Sequence, residues 1–145
     1  MEFRGDVTFA ATQTAVWHTL TTPQLVGQCT PRLQGWSPLE TDTQFQLKFC
    51  WGSGKSTVII PVLLIWQTIT PPTYLQWIGE AKMGSTAVPI QGDFTLNSAQ
   101  TNQTILTFTA QLNPPNKLLA QMIQTTAPRL IQSFFHCLKT AAETV

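Results

Sequence analysis

Residues Asn113 to Val145 read NPPNKLLAQMIQTTAPRLIQSFFHCLKTAAETV. The Asn-Pro-Pro opening closes what precedes it, and from Leu118 onward the apolar residues recur at helical spacing. Leu118, Leu119, Met122, Ile123, Leu130, Ile131, Phe134, Phe135 and Leu138 share one broad stripe, the pattern of an amphipathic helix. The long stretch before it reads as β. One such helix after an antiparallel sheet buries its stripe in the concave face of that sheet. A curved sheet closing over a single rod cannot fill every gap with side chains, so an apolar cavity is expected between them. Pro128 lies inside the stripe. It removes a backbone hydrogen bond and crowds the preceding turn, which predicts a kink or restart near Thr125–Thr126.

Upstream, Phe3, Gly5, Val7 and Phe9 alternate with Glu2, Arg4, Asp6 and Thr8, a strand with one wet face. At Thr12 the period changes. Ala15, Val16 and Leu20, with Trp17 beside them, fit a short helix capped by Thr12 or Thr14. Thr22-Pro23 then reads as a cap and first-turn proline of a second short helix, which Pro31 stops. From Leu33 strands alternate with turn signals. Their inward sets are Phe45, Leu47, Phe49, Trp51; Val58, Ile60, Val62, Leu64, Trp66; Leu75, Trp77, Gly79, Ala81, Met83; Val88, Ile90, Gly92, Phe94, Leu96; and Leu106, Phe108, Ala110, Leu112. Gly52-Ser53-Gly54, Thr70-Pro71-Pro72, Gly84-Ser85-Thr86 and Asn97–Asn102 punctuate them. The order is strand, two short helices, about six strands and a long helix, in a single domain spanning residues 1–145.

Only 10% of the residues are charged and the net charge is +1, against about 25% charged in ordinary globular chains. Such a surface offers no field for phosphates, and nucleic acid is disfavoured as a partner. So few charges also favour self-association. Met1-Glu2-Phe3-Arg4 lacks the character of a signal peptide, and the apolar run Val58–Trp66, interrupted by Pro61, is far short of the ~20 residues a spanning helix needs. Cys29, Cys50 and Cys137 are scattered without a motif, which reads as reduced thiols in a cytoplasmic protein.

The element order resembles the START/polyketide-cyclase (SRPBCC) superfamily. Met1-Glu2-Phe3-x-Gly5, Val16-Trp17, Pro31 with Trp36, Pro71-Pro72 and above all Arg129-Leu130-Ile131-x-x-Phe134-Phe135-x-x-Leu138 narrow the likeness to the carbon monoxide dehydrogenase G-subunit family, over essentially the whole chain. The resemblance implies an α+β helix-grip fold. It consists of a curved antiparallel sheet of about seven strands, two short helices after strand 1, and a long C-terminal helix packed in the concave face. It also implies a non-catalytic accessory protein that binds a quinone- or lipid-like molecule, often encoded beside molybdenum hydroxylases. Members often carry Pro-Gly-Cys after the second helix, where this chain has Pro31-Arg32-Leu33. Many also extend at the C-terminus to a membrane, and no such anchor is expected here.

Candidate chemistry is sparse. Gly52-Ser53-Gly54-Lys55-Ser56-Thr57 is similar to a phosphate-binding loop, but the first glycine of that pattern would fall on Phe49, and a β-run follows instead of a helix. His18 and His136 have no second ligand at helical spacing, and a nucleophile pair of Cys137 with a histidine has no support. Glu80, Lys82 and Asp93 alternate onto the outer face, where cross-strand pairing explains them. No catalytic residue, metal site or cofactor is assigned. The cavity is expected to be lined by Trp51, Trp66, Trp77, Phe94, Phe108, Met122, Ile123, Arg129 and Phe134, with Arg129 as the one polar group able to cap a ligand. Core filling explains the rings equally well; a flat apolar ligand would stack on them.

The outward set of the Val58 strand, Ile59, Pro61, Leu63 and Ile65, is apolar too. A strand apolar on both faces is covered on both, and Pro61 suggests a sheet edge. A homodimer ranks first as the cover, another protein second, and peripheral membrane contact third. The sequence therefore points to a carrier of a hydrophobic small molecule, gated by the Pro128 bend and the turn near Pro31. A cyclase- or hydrolase-type enzyme on the same fold is one alternative. An assembly module with a filled cavity is the other.

Overall fold

The computed structural model describes residues 1–39, 41–51 and 57–144, with Trp51 described by its backbone alone. The expected Gly52-Ser53-Gly54 turn and the loop-like segment through Ser56 lie outside these residues. The elements run β1 (Glu2–Phe9), α1 (Gln13–Leu20), α2 (Pro23–Cys29), β2 (Leu33–Pro38), β3 (Gln44–Trp51), β4 (Val58–Thr70), β5 (Tyr74–Met83), β6 (Thr86–Gln100), β7 (Gln103–Leu112) and α3 (Lys117–Glu143). The strands form one antiparallel seven-stranded sheet in the order β1-β7-β6-β5-β4-β3-β2. This is the α+β helix-grip fold.

Local chemistry explains the element ends. Thr12 caps α1 by accepting from the Ala15 N–H at 3.2 Å, and Asn116 caps α3 by accepting from the Leu119 N–H at 2.9 Å, each satisfying an orphan donor of a first turn. Thr22 precedes Pro23 as expected but makes no side-chain cap; its hydroxyl donates back to the His18 carbonyl. Arg32 stands in the left-handed region, at φ 62°, at the position where the resembling family often has glycine. The carbonyl of Arg32 accepts from the Cys50 N–H at 2.8 Å, tying that turn to β3.

Two expectations about proline need correction. Pro128 does not restart the helix: α3 is continuous from Lys117 to Glu143. Burial of Phe135, Leu138 and Ala142 downstream outweighs the roughly 3 kcal/mol cost of an interior proline. Pro61 does not mark a sheet edge either, because β4 lies between β3 and β5. The β4–β5 ladder begins at Val62↔Ala81, one residue past Pro61, while Pro61 pairs only with Lys48 of β3. The proline sits where one ladder has stopped, so its missing N–H costs little.

The cysteines also depart from expectation. Cys29 at the end of α2 and Cys137 in α3 form a disulfide across 108 residues, and Cys50 is free. Residues so far apart in sequence give no spacing signal, so composition alone favours the simpler reading of reduced thiols.

The interior divides in two. One buried cluster joins Phe9, Ala11, Val16, Leu20, Cys29, Leu96, Leu106, Phe135, Leu138 and Ala142, with Phe94, Phe108 and Phe134 against it. A second joins Phe45, Leu47, Val62 and Ala81, with Trp36, Phe49, Leu64, Trp66 and Ile90 against it. The first draws on sheet and helices together; the buried members of the second are all strand residues.

Candidate functional site

Between the two clusters lies a hollow of about 310 Å3. Its floor is the concave sheet: Trp36 of β2, Leu47 and Phe49 of β3, Val62, Leu64 and Trp66 of β4, Leu75 and Trp77 of β5, Ile90 and Phe94 of β6, and Phe108, Thr109 and Ala110 of β7. Its roof is Leu20 of α1, Val26 of α2, Thr30 beyond it, and Ile131, Phe134 and Phe135 of α3. Phe135 stacks on Phe108 at 4.9 Å between ring centroids and meets Phe94 edge-on at 6.3 Å. Trp36, Phe45 and Trp66 form a second aromatic chain, with centroid spacings of 5.1 and 4.8 Å.

The space exists because two floor rings lie down across the sheet. Trp77 is opposite Gly92 in the β5–β6 register, and a Cβ on Gly92 would run into both the Trp77 ring and the Thr109 carbonyl oxygen. Phe108 is opposite Gly5, and a Cβ there would stand 3.0 Å from its Cε1. A glycine opposite a ring lets the ring cover the backbone flat. Standing upright, these rings would occupy the hollow.

Among the described residues, the lining holds no Asp, Glu, Lys, Arg, His, Cys or Tyr. Its two threonines have spent their protons elsewhere. Thr30 Oγ1 donates to the Val26 carbonyl at 2.6 Å, and Thr109 Oγ1 donates to Asp93 Oδ1 at 2.8 Å. Asp93 also accepts from the Tyr74 hydroxyl at 3.2 Å. Burial first, then the Asp93 charge and this hydrogen bond, raise the Tyr74 pKa above its ordinary 10.0.

Of the expected lining, Trp66, Trp77, Phe94, Phe108 and Phe134 border the hollow. The side chain of Trp51 lies outside the described residues. Met122, Ile123 and Arg129 do not border it, which corrects three assignments. Met122 is 36% exposed and Leu118 70%, because the first turns of α3 contribute only Ile123 to the buried set. Arg129 is exposed; at 100° per residue it sits about 200° around the helix from Ile131, so it cannot cap a ligand inside. Sequence reading misses the α1–α2 roof and Trp36. A register shift between Leu33 and Gly35 upsets simple alternation in β2, and a glycine inside a strand pattern is the available signal for such a bulge.

Two further hollows share lining residues with the one between the clusters. Trp36 borders both it and a cleft of about 630 Å3 between α2 and β2 that also includes Gly27 and Leu33. Phe108, Ile131 and Phe135 border both it and a hollow of about 330 Å3 beside Val7 and Pro128. On the outer face, Ile59 is 53% and Leu63 37% exposed, with Pro61 and Ile65 half-buried. His18 and His136 are exposed.

A curved antiparallel sheet gripping a C-terminal helix over an apolar hollow defines the START-type helix-grip class. Within that class, the family of the carbon monoxide dehydrogenase G subunit (CoxG) matches residues 5–143, and the chain belongs to that family. Among solved structures, a conserved protein from Geobacillus kaustophilus superposes with TM-score 0.86 at 19% identity, covering 98% of this chain and 95% of that one. A START superfamily protein from Mycobacterium smegmatis gives TM-score 0.69 at 12% identity, over 99% and 97% of the two chains. The ZhuI aromatase/cyclase from Streptomyces sp. R1128 gives 0.71 at 14%, over 99% and 93%. No curated protein matches the sequence significantly. No helix among the described residues is long and apolar enough to cross a membrane.

Proposed function

We propose that this protein binds a hydrophobic small molecule, quinone- or lipid-like in size and polarity, in the hollow between sheet and α3, and carries it without transforming it. The observation that supports this is the character of the hollow: about 310 Å3, walled by rings and branched aliphatics, with no titratable side chain in the lining among the described residues. General acid–base or nucleophilic catalysis needs such a group within hydrogen-bond reach of the substrate, so this lining supports binding over the cyclase- or hydrolase-type reading. The assembly-module reading fits a solid interior, not one split by open space.

The two shared linings suit the carrier reading, since a cargo must be loaded and released. Access runs past Trp36 near the Pro31 turn, or past Phe108, Ile131 and Phe135 beneath Pro128. We further propose a place beside a molybdenum hydroxylase, with the exposed Ile59 and Leu63 as a surface for a second copy first and a partner protein second. In the cytoplasm the Cys29–Cys137 bond would have to survive a reducing medium, and the burial of Cys29, 7% exposed, would protect it.

Native mass spectrometry of protein purified from its own host, followed by solvent extraction, tests the reading. The expected result is one apolar molecule per chain, lost when Leu64→Trp fills the hollow. A ligand-free chain that also ignores N-phenyl-1-naphthylamine, an uncharged apolar fluorophore, would end the carrier proposal.

A further inference from the structure

Among the described residues, two buried side-chain nitrogen or oxygen atoms lack any hydrogen-bond partner: Nε1 of Trp36 and Nε1 of Trp77. Both indoles border the hollow. A buried donor left unmade is costly and calls for an explanation. Here the two orphans belong to two rings of one lining, on β2 and on β5, with β3 and β4 between them. Every other polar side chain in the lining has its proton committed, as Thr30 and Thr109 show. Among the described residues the lining thus carries two unpartnered N–H donors, both covered, and no carboxylate or cation.

Resting on the carrier reading, we propose that Trp36 and Trp77 select the cargo by donating to it. The ligand is an uncharged ring compound that carries hydrogen-bond acceptors, carbonyl or ether oxygens, and has no donor of its own to bury. An N–H or O–H on the ligand would find few acceptors here, and a carboxylate or ammonium would be desolvated without a counter-charge. Each ring is half-buried while its nitrogen is covered, so a small tilt of the indole around the ligand brings the donor to the acceptor. The Trp77 edge concerned lies over Gly92, whose added Cβ would stand 2.7 Å from Cε2, the atom next to Nε1. Trp36 also walls the α2–β2 cleft, so the residue that reads the ligand stands in the doorway.

The test uses two probes with one skeleton, 9-fluorenone and fluorene, which differ by a carbonyl in place of a methylene. Affinities are measured by titration calorimetry on the oxidised full chain and on Trp36→Phe and Trp77→Phe, which keep a ring and remove the donor. A neutral hydrogen bond to a group otherwise unpaired predicts fluorenone binding roughly three- to tenfold tighter than fluorene. At least one Phe variant should erase that preference, bringing the ratio of fluorenone to fluorene affinity to about one. Equal binding of the two probes, or Phe variants that weaken both alike, would overturn the donor role and leave the carrier reading standing. Failure of both probes to bind would remove the carrier reading and this inference with it.

Discussion

The two halves of the sheet are built on different terms. Strands β1, β7 and β6 are backed by α1 and α3, and the cluster around Phe9, Leu106 and Leu138 takes residues from strand and helix alike. Their outer face is laced by polar cross-strand pairs: Thr107 to Asp6 at 2.8 Å, Gln91 to Gln111 at 2.8 Å and Thr109 to Asp93 at 2.8 Å. Strands β3 and β4 reverse both features. Their inner face looks onto the hollow, and the outer stripe of β4 is Ile59, Pro61, Leu63 and Ile65. One helix has one apolar stripe: past Pro128, Leu138 and Ala142 pack into the first half, while Ile131, Phe134 and Phe135 also roof the hollow. The inner face of the second half floors the hollow, where the carrier reading proposed above would seat a ligand.

What joins the halves above the hollow is slight. Cys29 is the buried residue of α2, and its bond to Cys137 ties that short helix to α3. The largest effect expected is therefore on this tie. Closing a loop of 108 residues is worth about 4–5 kcal/mol, so Cys29→Ser with Cys137→Ser, or reduction, should lower stability by that order in denaturant titration. Amide exchange should rise first in α2 and scarcely in β6 and β7. Equal stability of the oxidised and reduced chains would break the picture of a roof held by one bond.

The contrast between the halves is sharpened by a matched pair. Leu138, 1% exposed, is enclosed by strand and helix, and Leu138→Ala should cost about 3 kcal/mol, transfer plus a new cavity. Leu64 already borders open space, so Leu64→Ala enlarges an existing hollow and should cost about 1 kcal/mol by lost burial alone. Urea titration of both variants gives the ratio, and equal losses would mean that the two halves are packed alike.

Most of the firm half is legible in the sequence. Period-two alternation assigns the inner faces because a strand has only two sides, and Asn113-Pro-Pro followed by helical spacing marks α3. Five of the nine expected lining residues, Trp66, Trp77, Phe94, Phe108 and Phe134, follow from that parity and from the stripe. Parity cannot tell how far along a helix contact extends, which is why Met122 and Ile123 fall away from the hollow. Nor does it reach structures set by long-range closure. The Cys29–Cys137 bond, the α1–α2 roof and the place of Trp36 after a bulge all depend on where distant segments meet. The inward glycines Gly5 and Gly92 are visible in the alternation, but their meaning, a ring laid flat on each, needs the register between strands.

The outer stripe offers the next test. With Leu63 37% and Ile59 53% exposed, an isolated chain would show an apolar row of the kind that partners cover. Size-exclusion chromatography with light scattering should find a dimer, and Leu63→Lys should split it into monomers without loss of probe binding. A monomeric parent chain would show that the apolar outer face of β4 has no role in self-association.

The smallest effect belongs to the laced face, at Tyr74. Burial, then the Asp93 charge and the hydrogen bond to it, raise the phenol pKa above 10.0, so the folded chain holds this proton more tightly than the unfolded one. The stabilisation is fully present below the unfolded pKa of about 10 and is lost as the pH rises through the higher folded value. Tyr74 is the one tyrosine of the chain, so phenolate absorbance reads it without ambiguity. Its midpoint should lie above 10 in the native protein and fall to the ordinary value in urea. Tyr74→Phe should cost about 0.5–1 kcal/mol at neutral pH and flatten the alkaline loss of stability. A native midpoint at or below the denatured one would mean that the Asp93 bridge between β5 and β7 is not holding, and that the firm half owes its order to the apolar side alone.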